Sequence, residues 1–196
     1  MRPPLAALAL LLLAACSNEA GPAPGGQAWD ATVTRTTYGI PHVRARDWGS
    51  LGYGYGHAFA EDNLCTMMDD FVTIRGERAK WFGRDGTYEI PAAGAVAGNV
   101  NSDFFWRLTA DDAAVASVEA DTTAEMQELG RGWVAGFNRY LRELRAGEHP
   151  GRHAACADAP WLSEITTQDL YRRFIRLAVI ASSTVLENEI ATAQPP

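Results

Sequence analysis

The chain has few of the side chains that build most metal and nucleic-acid sites. It contains 4 histidines and 3 cysteines, and its 24 acidic side chains outnumber the 17 basic ones. The formal net charge of -7 argues against nucleic acid as a partner, because phosphate binding needs a basic face. His149 and His153 have the i, i+4 spacing of a zinc-binding helix, but Pro150 and Gly151 between them forbid a helix. This type of metal site is therefore excluded.

The sequence also lacks a phosphate-binding loop and a self-sufficient hydrolytic site. Gly52–Gly56 reads GYGYG, without the G-x-G-x-x-G pattern or a following Gly-Lys-Ser. A hydrolase acting alone needs a nucleophile, a base and oxyanion donors in one place, and no motif here combines them. The acidic pairs Glu61-Asp62 and Asp69-Asp70 indicate a solvated helix face. The residues alone predict a folded domain without its own catalytic centre.

The one long apolar run, Leu5–Leu13, is too short to span a membrane and follows Arg2, which is typical of an export signal. It ends in Leu-Ala-Ala-Cys, which resembles the lipobox of bacterial lipoproteins. We therefore predict a signal peptide over residues 1–15 and an extracytoplasmic protein anchored to a membrane through a lipid on Cys16. The alternative is an ordinary secretory signal with a chance cysteine. Residues 16–28 contain nothing to bury and predict a flexible tether.

The folded domain is predicted over residues 29–196, mostly helical with one β-hairpin. Period-two alternation predicts strands near 29–35 and 40–44, and Asp47 is a good N-cap for a long amphipathic helix. Thr122 with Glu125, and Thr166 with Asp169, have capping-box spacing before two further helices. The stretch 83–101 is rich in Gly, Ala and Pro and predicts irregular surface.

The glycine run at the start of the long helix has two interpretations. Each glycine costs about 1 kcal/mol relative to alanine in a helix, so a helical run needs a reason such as close backbone packing. The alternative is a glycine-rich loop before a shorter helix. Propensity alone does not separate the two.

Cys65 and Cys156 are the cysteines left outside the lipobox. In an exported chain, two remaining cysteines predict a disulfide, because the compartment is oxidising. In a cytosolic chain the same residues would more often be buried thiols.

The segment from Tyr38 to Gly83 resembles the start of the penicillin acylase family, and is most similar to its acyl-homoserine-lactone and aculeacin acylase branch. The matching pieces are Tyr38-Gly39-Ile40-Pro41-His42, GYGYG, Ala60-Glu61-Asp62-Asn63-Leu64-Cys65, Arg75-Gly76-Glu77-Arg78 and Phe82-Gly83. Weaker similarity continues through residues 132–144, Ala159-Pro160-Trp161 and the last helix. The resemblance therefore covers essentially all of the predicted mature chain.

The resemblance implies an α+β fold in which this chain is the mostly helical α-chain portion of an αββα N-terminal-nucleophile hydrolase. Members are made as precursors that cleave themselves, and the new N-terminal serine of the β chain is the nucleophile. The resemblance thus implies an amidohydrolase that needs no cofactor and whose catalytic residues lie in a β-chain partner. It also implies that the apolar faces at Met67 and Phe71, at Trp133 and Phe137, and at Phe174 and Leu177 cover the β chain's sheets.

Two further sets of residues follow from the resemblance. Penicillin-type members place an Arg-Phe pair against the acyl group where this chain has Ile180, Ala181, Ser182 and Ser183. The smaller side chains predict a roomier pocket for fatty acyl groups of a small-molecule amide substrate. Some members bind a structural calcium with an α-chain glutamate, which here falls at Glu189 or Glu187. The alternative for both is a solvated carboxylate near a helix end.

Two other functions stay open from the sequence. A non-catalytic binding lipoprotein could retain only this half of the family's fold, and a truncated gene would produce the same chain. The leading hypothesis is the enzyme subunit, acting on an acyl-homoserine lactone, a lipopeptide or a β-lactam.

Overall fold

The computed structural model describes residues 28–91 and 94–194. The predicted signal peptide, Cys16 and nearly all of the tether lie outside the described residues. The strands are β1 (Ala31–Arg35), β2 (Pro41–Ala45), β3 (Thr87–Ile90) and β4 (Ala95–Gly98). The helices are α1 (Trp48–Ile74), α2 (Arg78–Phe82), α3 (Asn99–Thr109), α4 (Asp112–Asp121), α5 (Ala124–Arg145), α6 (Thr167–Val179) and α7 (Glu187–Thr192), with a 3-10 turn at Ser183–Leu186.

The predicted N-terminal hairpin is present. Strands β1 and β2 pair antiparallel, with Ala31 opposite Ala45 and Arg35 opposite Pro41. The turn between them contains Gly39 at φ 81°, a backbone conformation that glycine adopts without strain. The hairpin lies against α1, where Arg35 forms ion pairs with Glu61 at 2.6 Å and Asp62 at 3.0 Å. The first acidic pair therefore binds an arginine, and its prediction as a merely solvated face is wrong.

Helix α1 contains the glycine run, so the helical interpretation is correct. Asp47 is its N-cap and accepts a hydrogen bond from the Ser50 backbone N–H at 2.7 Å. A β-carbon at Gly52 or Gly56 would overlap the backbone carbonyls of Leu129 and Trp133 on α5. The reciprocal glycines, Gly132 and Gly136 on α5, would likewise overlap the carbonyls of Gly49 and Tyr53 on α1. The propensity cost is offset because only glycine lets the two backbones come this close. We call this contact the glycine seam.

The core forms where α1 and α5 continue beyond the glycine seam. Phe71 on α1 and Phe137 on α5 are fully buried, with ring centroids 6.0 Å apart. Met67 and Trp133 are 4% and 5% exposed. These two faces pack on each other, so the expectation that they wait for a partner's sheet is wrong. Leu177 on α6 differs, because 49% of its surface is exposed.

Two local predictions differ from the structure. A second antiparallel hairpin, β3–β4, forms in the stretch expected to be irregular, because Tyr88 and Ile90 alternate inward and bury against the helices. The predicted cap of α5 is displaced by one residue: Thr123 accepts the hydrogen bond from Met126, while Thr122 ends α4. The capping box of Thr166 and Asp169 at the start of α6 is present as predicted.

Within the residues described, every helix falls short of the length or the apolar character that crossing a membrane would require.

Candidate functional site

A cleft of about 250 Å³ lies where α1, β3 and the end of α6 meet. Its apolar wall includes Met67, Leu177 and Ile180, and its polar wall includes Tyr88 and Arg176. Ile180 reaches this position because the capping box fixes where α6 begins, and the helix ends at Val179 just before it. The cleft therefore combines an apolar side with buried charge.

The polar side of the cleft is built around Asp70. Its carboxylate accepts a hydrogen bond from Arg176 Nε at 2.7 Å and pairs with Arg173 on the same helix. The neighbouring Asp69 pairs with Arg78 at 3.1 Å, and the Arg78 guanidinium lies over the Tyr88 ring, 4.1 Å from its centroid. The second acidic pair thus binds arginines, and its prediction as a solvated face is wrong. The sequence gave no spacing signal for partners this distant.

The predicted acyl-wall residues fall in different environments. Ile180 lines the cleft. Ala181 and Ser182 lie in an exposed turn, in which the Ser182 N–H donates to the Val179 carbonyl at 3.0 Å. Ser183 is half-buried and begins the 3-10 turn. Leu177 and Met67, which sequence comparison with an Arg-Phe pair could not single out, line the cleft beside Ile180.

The two candidate calcium ligands also separate. Glu187 is fully buried, and the Tyr88 hydroxyl lies 2.9 and 2.7 Å from its two carboxylate oxygens. Glu189 is exposed. Burial raises the pKa of the Glu187 carboxyl, while burial and the negative charge of Glu187 raise the pKa of Tyr88 to about 12. Among the described residues, no group of three or more His, Cys, Asp or Glu side chains could hold a metal ion.

A second polar cluster lies between α1, α5 and the loop that follows α5. His57 Nε2 and His149 Nε2 contact the same Glu143 oxygen at 2.8 and 3.2 Å, and Arg139 Nε donates to the other at 2.5 Å. Burial raises the pKa of Glu143, but these hydrogen bonds outweigh it and lower the value to about 2. The Tyr140 ring stacks on His149, with centroids 4.6 Å apart. This cluster joins the loop to the helix pair.

The same loop is held covalently. Cys65 on α1 and Cys156 form a disulfide with their Cα atoms 5.6 Å apart. Beside it, Arg152 donates to the Glu61 carbonyl, and the His153 Nε2 contacts the Tyr140 hydroxyl at 3.1 Å. His149 and His153 therefore serve loop packing.

A larger cleft, of about 660 Å³, lies beside α2, α3 and the start of α6. It is lined by an ion pair between Arg75 and Asp169 at 2.6 Å, and Arg107 donates to the Gly76 carbonyl at 2.7 Å. Burial raises the pKa of the Asp169 carboxyl, but the Arg75 guanidinium outweighs it and lowers the value. These charges satisfy each other, and the cleft contains none of the predicted acyl-wall residues.

Throughout the described residues, no histidine side chain is hydrogen-bonded to a serine, threonine or cysteine side chain. Ser50 accepts from the Asp30 N–H and donates to Asp47, and Ser102 donates to Tyr88. These hydroxyls are structural, because an activated nucleophile needs an adjacent base. The described part of the chain therefore holds a cleft and a scaffold without an assembled nucleophile and base.

Comparison with known proteins agrees with this arrangement. The chain is 36% identical over 179 residues to acyl-homoserine lactone acylase PvdQ of Pseudomonas putida, which covers 91% of this chain and 22% of that protein. It is 33% identical over 205 residues to aculeacin-A acylase of Actinoplanes utahensis, which covers 100% of this chain and 25% of that protein. The chain thus spans a quarter or less of the length of these relatives.

A solved structure shows the same fold. The thermostable penicillin G acylase from Alcaligenes faecalis superposes with a TM-score of 0.60 at 24% identity, over 86% of this chain and 78% of that chain. The predicted α+β, mostly helical fold of the N-terminal-nucleophile hydrolase type is confirmed. The penicillin amidase family model matches residues 30–194, nearly the whole domain predicted from the sequence. The chain therefore belongs to the penicillin amidase family.

Proposed function

We propose that this chain is the α-chain part of an exported acylase that hydrolyses the amide bond between an acyl chain and a polar head group. The observation that carries the proposal is the family match over residues 30–194, together with two named acylases that align with 91% and 100% of the chain. The chain supplies structural support and part of the acyl-pocket wall.

The catalytic groups are proposed to come from a β chain cut from the same precursor. Amide hydrolysis needs a nucleophile, a base and preorganised oxyanion donors. An N-terminal serine can supply the first two, because its own α-amine accepts the proton through water. The described residues contain no competing pair of nucleophile and histidine. The chemistry needs no cofactor, and a structural calcium remains a prediction.

The partner's docking surface is proposed to include one exposed apolar stripe on α3. Val100, Phe104 and Leu108 are spaced four residues apart and are 46%, 53% and 60% exposed. An i, i+4, i+8 series lies on one face of a helix, and such a stripe is normally covered in a complete protein. A β chain packed across this helix would bury it.

The acyl group is proposed to contact Met67, Leu177 and Ile180 in the smaller cleft. Their side chains are aliphatic and flexible, which suits a fatty acyl chain better than a rigid phenylacetyl group. The relatives named acyl-homoserine lactone acylase and aculeacin-A acylase favour N-acyl-homoserine lactone or lipopeptide substrates over β-lactams.

Export is supported by the disulfide, because such bonds persist in oxidising compartments. Attachment through Cys16, which lies outside the described residues, stays a proposal. Incorporation of labelled fatty acid into the wild-type chain, and its loss in Cys16→Ala, would test the lipid anchor separately from the activity.

The enzyme proposal is tested by measuring homoserine lactone released from a long-chain acyl-homoserine lactone. The chain alone should give no turnover, while the chain coexpressed with its β segment should give turnover. Activity of the chain alone would overturn the subunit assignment. An active complex that prefers phenylacetyl amides would overturn the proposed pocket and leave the family assignment intact.

A further inference from the structure

The buried carboxylate of Glu187 lies at the first residue of α7 and faces the inside of this chain. Its relative exposure is 0%, and the Tyr88 hydroxyl on β3 lies within hydrogen-bond distance of both carboxylate oxygens. Ser102 on α3 donates to the same hydroxyl at 3.2 Å, which leaves the hydroxyl proton of Tyr88 free for Glu187. The carboxylate thus joins α7 to β3 and α3.

Two further donors near Glu187 are buried and lack a hydrogen-bond partner among the described residues: Arg176 Nη1 and Trp106 Nε1. Arg176 is 4% exposed and Trp106 is 0% exposed, and the guanidinium carbon lies 5.3 Å from the centroid of the indole ring. Both side chains act on Glu187, because the Arg176 charge and the Trp106 N–H each oppose the rise in its pKa. A buried donor without an acceptor is costly, so the two N–H groups require an oxygen between them and Glu187.

These surroundings are unsuited to a calcium ion. Calcium takes 6–8 oxygen ligands, whereas the carboxylate of Glu187 is surrounded by hydroxyl, indole and guanidinium donors. The positive charge of Arg176 would repel a cation placed against the same carboxylate. Ligands from another chain have no access either, because no part of Glu187 reaches the surface.

We propose that Glu187 is an internal anchor for the C-terminal segment, bound directly by Tyr88 and through a buried water by Arg176 and Trp106, and that it is not a metal ligand. A water at this position would receive the two unpartnered N–H groups and donate to the carboxylate, which matches the usual two to four partners of an internal water. The neighbouring Asn188 strengthens the anchor, since its side chain accepts from Asn101 at 3.0 Å and donates to the Val96 carbonyl at 2.8 Å.

The test uses the complete mature protein with Glu187→Gln and, as matched control, Glu189→Gln. The first change replaces an acceptor with an amide that turns a donor toward other donors, while the second alters an exposed side chain two residues away. Thermal unfolding with calcium and with EDTA, and bound calcium measured by mass spectrometry, are the readouts. We expect Glu187→Gln to lower the melting temperature by several degrees equally in both buffers, with calcium content unchanged, and Glu189→Gln to melt like wild type.

Loss of bound calcium in Glu187→Gln with retention in Glu189→Gln would overturn the inference, as would an unchanged melting temperature in Glu187→Gln. If Glu187→Gln does not fold, Tyr88→Phe gives the same readouts with only one hydroxyl removed. It should lower the melting temperature equally in calcium and EDTA and keep the calcium content of wild type. A Tyr88→Phe protein that loses calcium, or that melts like wild type, would equally refute the anchor.

Discussion

His57 and Glu143 lie 86 residues apart in sequence, yet the imidazole Nε2 lies 2.8 Å from the carboxylate Oε2. The contact joins α1 to α5, and His149 adds the following loop to the same oxygen. A carboxylate with three such partners is held ionised, which makes its contribution to stability depend on pH.

We expect Glu143→Gln to destabilise the protein by about 1–3 kcal/mol at pH 7, as for other hydrogen bonds to a charged group. The pKa of Glu143 in the folded protein is lowered to about 2, below its value in the unfolded chain. Its stabilisation is therefore complete above about pH 4.5 and is lost as the pH falls toward about 2. Urea unfolding midpoints should differ most between wild type and variant at neutral pH and converge in acid. A constant difference from pH 7 to pH 3 would contradict the assigned role.

The glycine seam predicts a sharp contrast between two glycines of α5. Gly132→Ala would place a β-carbon against the Gly49 carbonyl, and overpacking of this kind costs about 3 kcal/mol or more where backbone has to move. Gly130→Ala is the matched control, because its new methyl would meet only the flexible Leu170 side chain at 3.2 Å and would gain up to about 1 kcal/mol of helix propensity. Thermal unfolding should show a large loss for the first variant alone. Equal melting temperatures would show that the helices can separate at little cost.

Removing the disulfide should destabilise the protein strongly. Cys65 and Cys156 are 91 residues apart in sequence, and the chain-entropy model assigns about 4 kcal/mol to closing a loop of that length. We expect Cys65→Ser/Cys156→Ser to unfold at lower urea than oxidised wild type and at the same urea as reduced wild type. Unfolding of the double variant at the oxidised wild-type midpoint would mean that the polar contacts of the loop suffice.

The apolar stripe on α3 predicts an assembly defect without a folding defect. Phe104→Glu places a charge in the centre of the proposed interface, at a side chain that is 53% exposed in this chain. Copurification with the β segment should fall at least tenfold, while Ala113→Glu, on the exposed surface of α4, should copurify normally. Normal copurification of Phe104→Glu would place the partner elsewhere on the chain.

The elements with strong local signals could be predicted from the sequence. The first hairpin, the Asp47 cap and the capping box at Thr166 depend on residues within a few positions of one another. The partners of Asp70 and Glu143 could not be predicted, because they lie across the fold and ion pairs leave no periodic pattern. Residues 87–90 were missed as a strand because the glycine and proline around them outweighed a short alternation.

The cleft was only partly anticipated for a similar reason. Comparison with the family pointed to the Ile180–Ser183 stretch, but the helix ends there and only Ile180 turns into the cleft. Leu177 lies almost one helical turn earlier and Met67 belongs to another helix, so their shared wall exists only after α1 and α6 have packed.

The glycine seam also fixes how far α1 can slide along α5. A shift of one residue moves a helix by about 1.5 Å and turns a different side chain toward its neighbour. At the seam that side chain would belong to Tyr53 or Tyr55, and neither fits where a β-carbon is already too large. The two helices are thus locked in a single translational setting, like a key that enters its lock at one depth only. His57 meets Glu143 because that setting is chosen at the other end of the same contact.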